Sequence, residues 1–147
     1  MTPTLELYCH VERDWLDTAQ IEAYTRALNA LLPELLQSPP GPDHVLSELD
    51  SVELSIVDDP TIARVHGDYL NDPTPTDAIT FPYGEILVSS DTAERYAAAH
   101  GLDRREELFR YLVHGLTHLQ GYLDADPAER DALFAVQEPL VARYCPK

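Results

Sequence analysis

Cysteine and lysine are both scarce in this 147-residue chain. The two cysteines, Cys9 and Cys145, lie near opposite ends and match no metal or redox spacing. Neither a disulfide framework nor a thiolate site is therefore expected. Lys147 is the only lysine, and arginine supplies the rest of the 10 basic residues against 26 acidic ones, for a formal net charge of −16. That balance opposes non-specific contact with phosphate backbones. A nucleic-acid ligand would have to be met by a local arginine cluster or a metal ion. No run approaches the ~18 apolar residues of a membrane helix. The stretch from Met1 to Glu6 also lacks the basic and apolar regions of a signal peptide, so a cytoplasmic protein without membrane contact is expected. Hydrophobic residues at 44% and charged residues at 24% suit an ordinary globular chain. The length suits one domain, 1–147, with a single core.

Periodicity supplies the elements. Leu5, Leu7, Cys9 and Val11 alternate with Glu6, Tyr8, His10 and Glu12, as in a half-buried strand. Asp17, with Gln20 at the capping-box position, offers the N-cap of a helix. Its apolar stripe is Ile21, Tyr24, Leu28, Leu31, Leu32 and Leu35, and Pro33 is expected to bend or shorten it. Ser38 to Pro42, with three prolines and a glycine, is a loop. Val52, Leu54 and Ile56 mark a second strand. Asp59-Pro60 reads as an N-cap followed by proline at the first helical position, for a short helix to about Leu70. After a loop at Asn71 to Pro75, Thr76 to Pro82 is expected to be a strand that Pro82 ends or confines to an edge. Glu85 to Val88 follows as a buried strand. Asp91 with Glu94 starts a helix that stops at Gly101, and Asp103 with Glu106 starts another. Asp126-Pro127-Ala128-Glu129 starts a last helix towards Tyr144, with a kink at Pro139. The order β-α-β-α-β-β-α-α-α gives an α+β single domain, a small mixed four-stranded sheet packed with helices.

The helix begun by Asp103 carries the chemistry. His114 and His118 are four residues apart, which places two imidazoles about 5–6 Å from each other on one helical face. Both can then reach one metal ion. Gly115 is expected to leave room beside that face. Gly121 is expected to turn the helix end back to where a third ligand enters. That ligand is Asp124 or Asp126. Asp126 precedes Pro127 and stands three residues before Glu129, so it already serves as an N-cap, which favours Asp124. A zinc protease of the His-Glu-x-x-His kind needs glutamate after the first histidine as general base. Gly115 stands there, which argues against peptide hydrolysis. His10, His44, His66 and His100 read as structural or solvent-facing, His100 near a helix C-terminus where a cation is favoured.

Two separated motifs resemble one family. Pro75-Thr76-Asp77-Ala78-Ile79-Thr80-Phe81-Pro82 resembles the Pro-Thr-Asp-Val-Leu-Ser-Phe-Pro signature of the YbeY family of bacterial rRNA maturation factors. The stretch from His114 to Tyr122 resembles its His-Gly-x-Leu-His-Leu-x-Gly-Tyr-Asp-His signature. Gly84-Glu85-Ile86 is similar to the Gly-Asp-Ile strand between them. The resemblance covers essentially the whole chain. It implies a zinc-dependent, single-strand-specific endoribonuclease acting in 16S rRNA 3′-end maturation and ribosome quality control. Implied with it are one Zn2+ ion per chain, single-stranded rRNA as substrate, and the ribosome or small-subunit proteins as partners. The alternative is a non-catalytic, metal-binding, ribosome-associated factor.

The family's metal is held by three histidines, the third lying six residues after the second. Asp124 occupies that position, so the implied ligands are His114, His118 and Asp124. Leu123 replaces the family's neighbouring aspartate. A carboxylate ligand lowers the site's net charge by one unit and weakens the metal as a Lewis acid. The family arginine proposed to meet RNA phosphate has no counterpart, because Tyr69-Leu70 stands there, with Arg64 as the nearby candidate substitute. By analogy, Thr76 to Phe81 lines the substrate groove. No residue is assigned as general base.

Overall fold

Alternating hydrophobic residues build a four-stranded sheet in the computed structural model, which describes residues 2–147. The strands are β1 (Thr4–Cys9), β2 (Ser51–Val57), β3 (Ala78–Phe81) and β4 (Glu85–Ser89), in spatial order β1-β2-β4-β3. β1, β2 and β4 run parallel, while β3 returns antiparallel at the edge beside β4. Parallel neighbours need crossover connections, and helices α1 (Thr18–Gln37) and α2 (Asp59–Leu70) provide them. Helices α3 (Ser90–His100), α4 (Arg104–Leu119) and α5 (Pro127–Tyr144) follow. The class, the mixed sheet and the element order are those expected from the sequence.

Successive strand residues point to opposite faces. Val52, Leu54, Ile56, Ile86 and Val88 enter the main core, together with the apolar stripes of α1 and α4. Val57 and Ile79 enter a second, smaller cluster with Ile62 of α2, against which Leu87 packs. The sheet thus lies between α2 on one face and α1 with α4 on the other.

Several boundaries differ from expectation. β1 ends at Cys9 rather than Val11, since its ladder with β2 runs out at the Cys9–Ile56 pair. β3 starts at Ala78 rather than Thr76, where the Asp77 carboxylate accepts the Ala78 N–H at 2.7 Å. Pro33 does not shorten α1, which continues to Gln37 with Leu35 fully buried. Pro139 likewise lies inside α5, which runs on through buried Leu140 and Val141.

Asp17, Asp103 and Asp126 cap their helices as read from the sequence. Two other caps move. Asp58, not Asp59, caps α2 by accepting the Thr61 N–H at 2.9 Å. Ser89, not Asp91, caps α3 by accepting the Thr92 N–H at 3.1 Å. The two displaced carboxylates join elements instead. Asp59 accepts from Ser89 Oγ at 2.6 Å, Thr92 Oγ1 at 2.7 Å and Arg95 Nη1 at 2.7 Å. Asp91 accepts the Asp59 N–H and Arg13 Nη2, both at 2.9 Å. This lattice fixes the starts of α2 and α3 against each other.

Burial alone would raise the Asp59 carboxyl, but the bonds from Ser89, Thr92 and Arg95 outweigh it and hold it below its ordinary 3.8. A carboxyl depressed in the folded state adds stability above the unfolded pKa, and that contribution is lost as pH falls through the folded value. Asp59→Asn is therefore expected to lose about 1.5–3 kcal/mol at pH 7, the range for hydrogen bonds to a charged group. Its stability should also fall less steeply than that of the parent chain below pH 3.8. Urea melts from pH 7 to pH 2 check both, and parallel acid limbs in the two proteins would refute the assignment.

Candidate metal centre

Helix α4 runs through the middle of the molecule. From Glu107 to Leu119 only Arg110, His114 and His118 escape burial, at helical spacing along one stripe. Beside that stripe the helix packs on the sheet, and Gly115 lies hard against β4. A Cβ there would lie 2.6 Å from Ile86 Cγ2. The space expected beside the metal face is thus filled by β4, and Gly115 serves helix–sheet contact instead.

The C-terminus of α4 places the third candidate donor. Gly121 adopts φ 100°, which a side chain rarely tolerates. The Gly121 N–H reaches the His118 carbonyl at 2.9 Å and the Tyr122 N–H reaches the Thr117 carbonyl at 3.3 Å, the pair of bonds of a Schellman turn. The proline-rich loop lies across this turn. The Gly41 N–H donates to the Gln120 carbonyl at 3.0 Å and the Val45 N–H to the Leu119 carbonyl at 2.9 Å. A Cβ on Gly121 would sit 2.6 Å from the Gly41 oxygen. The chain leaves the turn folded back along the helix and carries Asp124 to the histidines.

His114 Nδ1 lies 2.8 Å from Gln137 Oε1, and His118 Nδ1 lies 2.8 Å from the Tyr122 carbonyl. Carbonyl oxygens only accept, so both Nδ1 atoms carry the proton and both Nε2 atoms present lone pairs. Gln137 is held in this orientation because its Nε2 donates to Glu138 Oε2 at 2.8 Å. The two Nε2 atoms are 3.0 Å apart, and Asp124 Oδ2 lies 3.5 Å from His114 Nε2 and 3.4 Å from His118 Nε2. Metal–ligand distances of about 2.0–2.1 Å imply edges of about 3.3–3.4 Å in a tetrahedron. The two edges to Asp124 lie near that span and the Nε2–Nε2 edge is shorter, so the three atoms are close enough together to hold one ion. Burial, then the adjacent His114, holds His118 below the ordinary imidazole value, against the Tyr122 carbonyl, Asp124 and Asp77, which pull it up. The neutral, metal-binding form is favoured. Of the two candidate aspartates, Asp124 joins the histidines, while Asp126 accepts the Glu129 N–H at 2.8 Å as a cap. His10, His44, His66 and His100 lie outside this group.

Two clefts meet here. His114 and Asp124 open into one of about 540 Å³, lined also by Thr76, Asp77, Arg110 and Tyr111. His118 borders another of about 570 Å³, lined by Ala78 to Pro82, Tyr69 and Leu123. The Thr76 to Phe81 stretch thus runs along both. Arg64 is exposed and lines neither. Arg110 is already engaged by Glu107 at 2.6 Å, Glu138 at 3.0 Å and Glu106 at 3.7 Å.

The sequence model of endoribonuclease YbeY matches residues 14–145. The chain belongs to the endoribonuclease YbeY family. A YbeY endoribonuclease of Protochlamydia amoebophila is 42% identical over 110 residues, covering 67% of this chain and 69% of that protein. One from Synechococcus sp. is 30% identical over 135 residues, covering 82% and 83%. A solution structure of a Thermotoga maritima protein superposes with a TM-score of 0.61 at 21% identity, covering 93% and 86%, and shares the fold. YbeY relatives are endoribonucleases, so the chain is a nuclease whose substrate is RNA.

Gln137 escaped the sequence reading, although a signal was present. It stands among Leu133, Leu140 and Val141 on the buried stripe of α5, a polar residue at a core position. A side chain that orients a metal-binding imidazole typically contributes 10–100-fold in affinity, so Gln137→Ala is expected to weaken divalent-metal binding by about that factor. Chelator competition measures it, with a thermal melt to confirm folding. Unchanged affinity in a folded variant would remove Gln137 from this role.

Proposed function

We propose that this chain is a zinc-dependent, single-strand-specific endoribonuclease that acts in 16S rRNA 3′-end maturation and ribosome quality control. It works in the cytoplasm as one YbeY-like domain, 1–147, on single-stranded rRNA, with the ribosome or small-subunit proteins as partners. His114, His118 and Asp124 hold one Zn2+ ion. The observation that carries the reading is the convergence of two Nε2 lone pairs and one carboxylate oxygen at the junction of two clefts, in a chain of the YbeY family.

Two imidazoles and a carboxylate form a donor set suited to zinc, and three protein ligands leave the open position typical of catalytic sites. When bound, the ion supplies Lewis acidity for phosphodiester hydrolysis. The protein's part is orientation. Gln137 and the Tyr122 carbonyl hold the protons on Nδ1, so each Nε2 stays an acceptor aimed inward. Asp124 adds a negative charge on the exposed side, where it lines the first cleft.

Zinc-loaded protein is expected to cleave single-stranded RNA carrying the 16S 3′ end, while the His114→Ala, His118→Ala double variant is inactive. Equal cleavage by both would overturn the site. Elemental analysis of protein purified without a histidine tag tests the third ligand separately. Asp124→His is expected to raise zinc occupancy and Asp124→Ala to lower it. Occupancy indifferent to position 124 would exclude it from the ligand set.

A further inference from the structure

The cleft on the β3 side has an aromatic wall that metal binding does not use. Tyr69, in the last turn of α2, meets Phe81 edge-on, with centroids 5.5 Å apart at 76°. Phe81 in turn stacks on Tyr83 at 5.5 Å and 19°. Tyr69 is 71% exposed and Tyr83 is 68% exposed, and Leu70 and Leu123 are exposed at the same cleft. The Tyr83 hydroxyl donates to Glu85 Oε1 at 2.5 Å, which fixes its ring and pushes its pKa up to about 12. Tyr69 and Phe81 line the same cleft as His118, and Tyr83 extends the wall beyond it.

We infer that this wall, with Tyr69 as its principal face, binds unpaired nucleobases of the RNA by stacking and so supplies the affinity that a phosphate-binding cation would otherwise give. The inference rests on the single-strand nuclease reading above. Three observations select a nucleobase as occupant. Charge comes first. Among the described residues, Asp43 is the only ionisable acid or base on the cleft apart from His118 and Tyr69, and neither lysine nor arginine lines it. Contact with phosphate therefore has no partner there, while the uncharged face of a base meets little repulsion from a chain at −16. Second, the cation of the neighbouring cleft is spoken for, since Arg110 is surrounded by Glu106, Glu107 and Glu138. Third, the cleft is a concavity of about 570 Å³ rather than a flat face. That is within the usual range of about 300–1,000 Å³ for sites that take small ligand groups. Base–aromatic stacking requires bases free of a helix, so the wall also accounts for selection of single strands.

The test uses zinc-loaded full chain and a short fluorescent single-stranded oligoribonucleotide, with binding read by anisotropy and cleavage measured in parallel. Loss of a stacking ring typically weakens single-strand binding by about 5- to 150-fold, and Tyr69→Ala is expected to fall in that range. Tyr69→Phe should restore binding, and zinc content should match the parent in both variants. An oligomer with abasic positions is expected to bind the parent weakly and to lose nothing further with Tyr69→Ala. The salt dependence of binding should be shallow, since few phosphate contacts release counterions. Parent-like binding by Tyr69→Ala, or equal affinity for the abasic oligomer, overturns the stacking wall while parent cleavage leaves the nuclease reading intact. Absence of both binding and cleavage in the parent overturns that reading and the wall with it. Self-association of the parent that Tyr69→Ala abolishes in sedimentation assigns the face to a second copy and overturns the inference.

Discussion

Gly41 and Gly121 meet backbone against backbone, and the direction of the chain after α4 follows from that contact. A Cβ on Gly41 would fall 2.0 Å from the Gly121 oxygen, so the loop and the turn fit only without side chains. The contact lets loop amides cover the last carbonyls of α4, groups that a buried helix end must otherwise leave unsatisfied. It also places the Tyr122 carbonyl where His118 can donate to it. The tautomer of one imidazole and the position of the aspartate thus have a common origin. A second set of contacts, from Gln137 on α5, does the same for His114. The site is held at both ends by groups whose own places are fixed by packing.

Charge explains the rest of the site's character. An acidic chain that acts on RNA needs some way past its own field. Several arginines are committed to pairs that join elements: Arg13 with Asp91, Arg95 with Asp59, Arg104 with Glu94, and Arg110 with Glu138, besides its partners Glu106 and Glu107 within α4. These pairs serve the scaffold more than the ligand. What remains beside the candidate metal group is polar and aromatic surface.

Much of this was legible along the chain because local rules dominated locally. Periods of two and 3.6 residues gave the strands and helices, and the i, i+4 histidines with the following glycine gave the donor region. Capping logic separated Asp124 from Asp126: Asp126 caps α5, and Asp124 lies beside both imidazoles. Three of the misreadings share a cause, a partner distant in sequence. Asp59 and Asp91 look like helix starts, but Ser89 and Asp58 cap, freeing both carboxylates to bridge elements. Gly115 looked like clearance for a metal until Ile86 of β4 filled the space. Gln137 is far along the chain, and only the packing of α5 on α4 brings it to His114.

All three metal-binding candidates fall within one segment, residues 114–124, a single helix end and its turn. The entropy of closing a loop grows only as about (3/2)RT ln n, so gathering donors so close together in sequence costs little. The clefts that would hold a strand are different, since they need α2, β3, α3 and α5 in place around α4. Chemistry is therefore encoded locally and recognition globally.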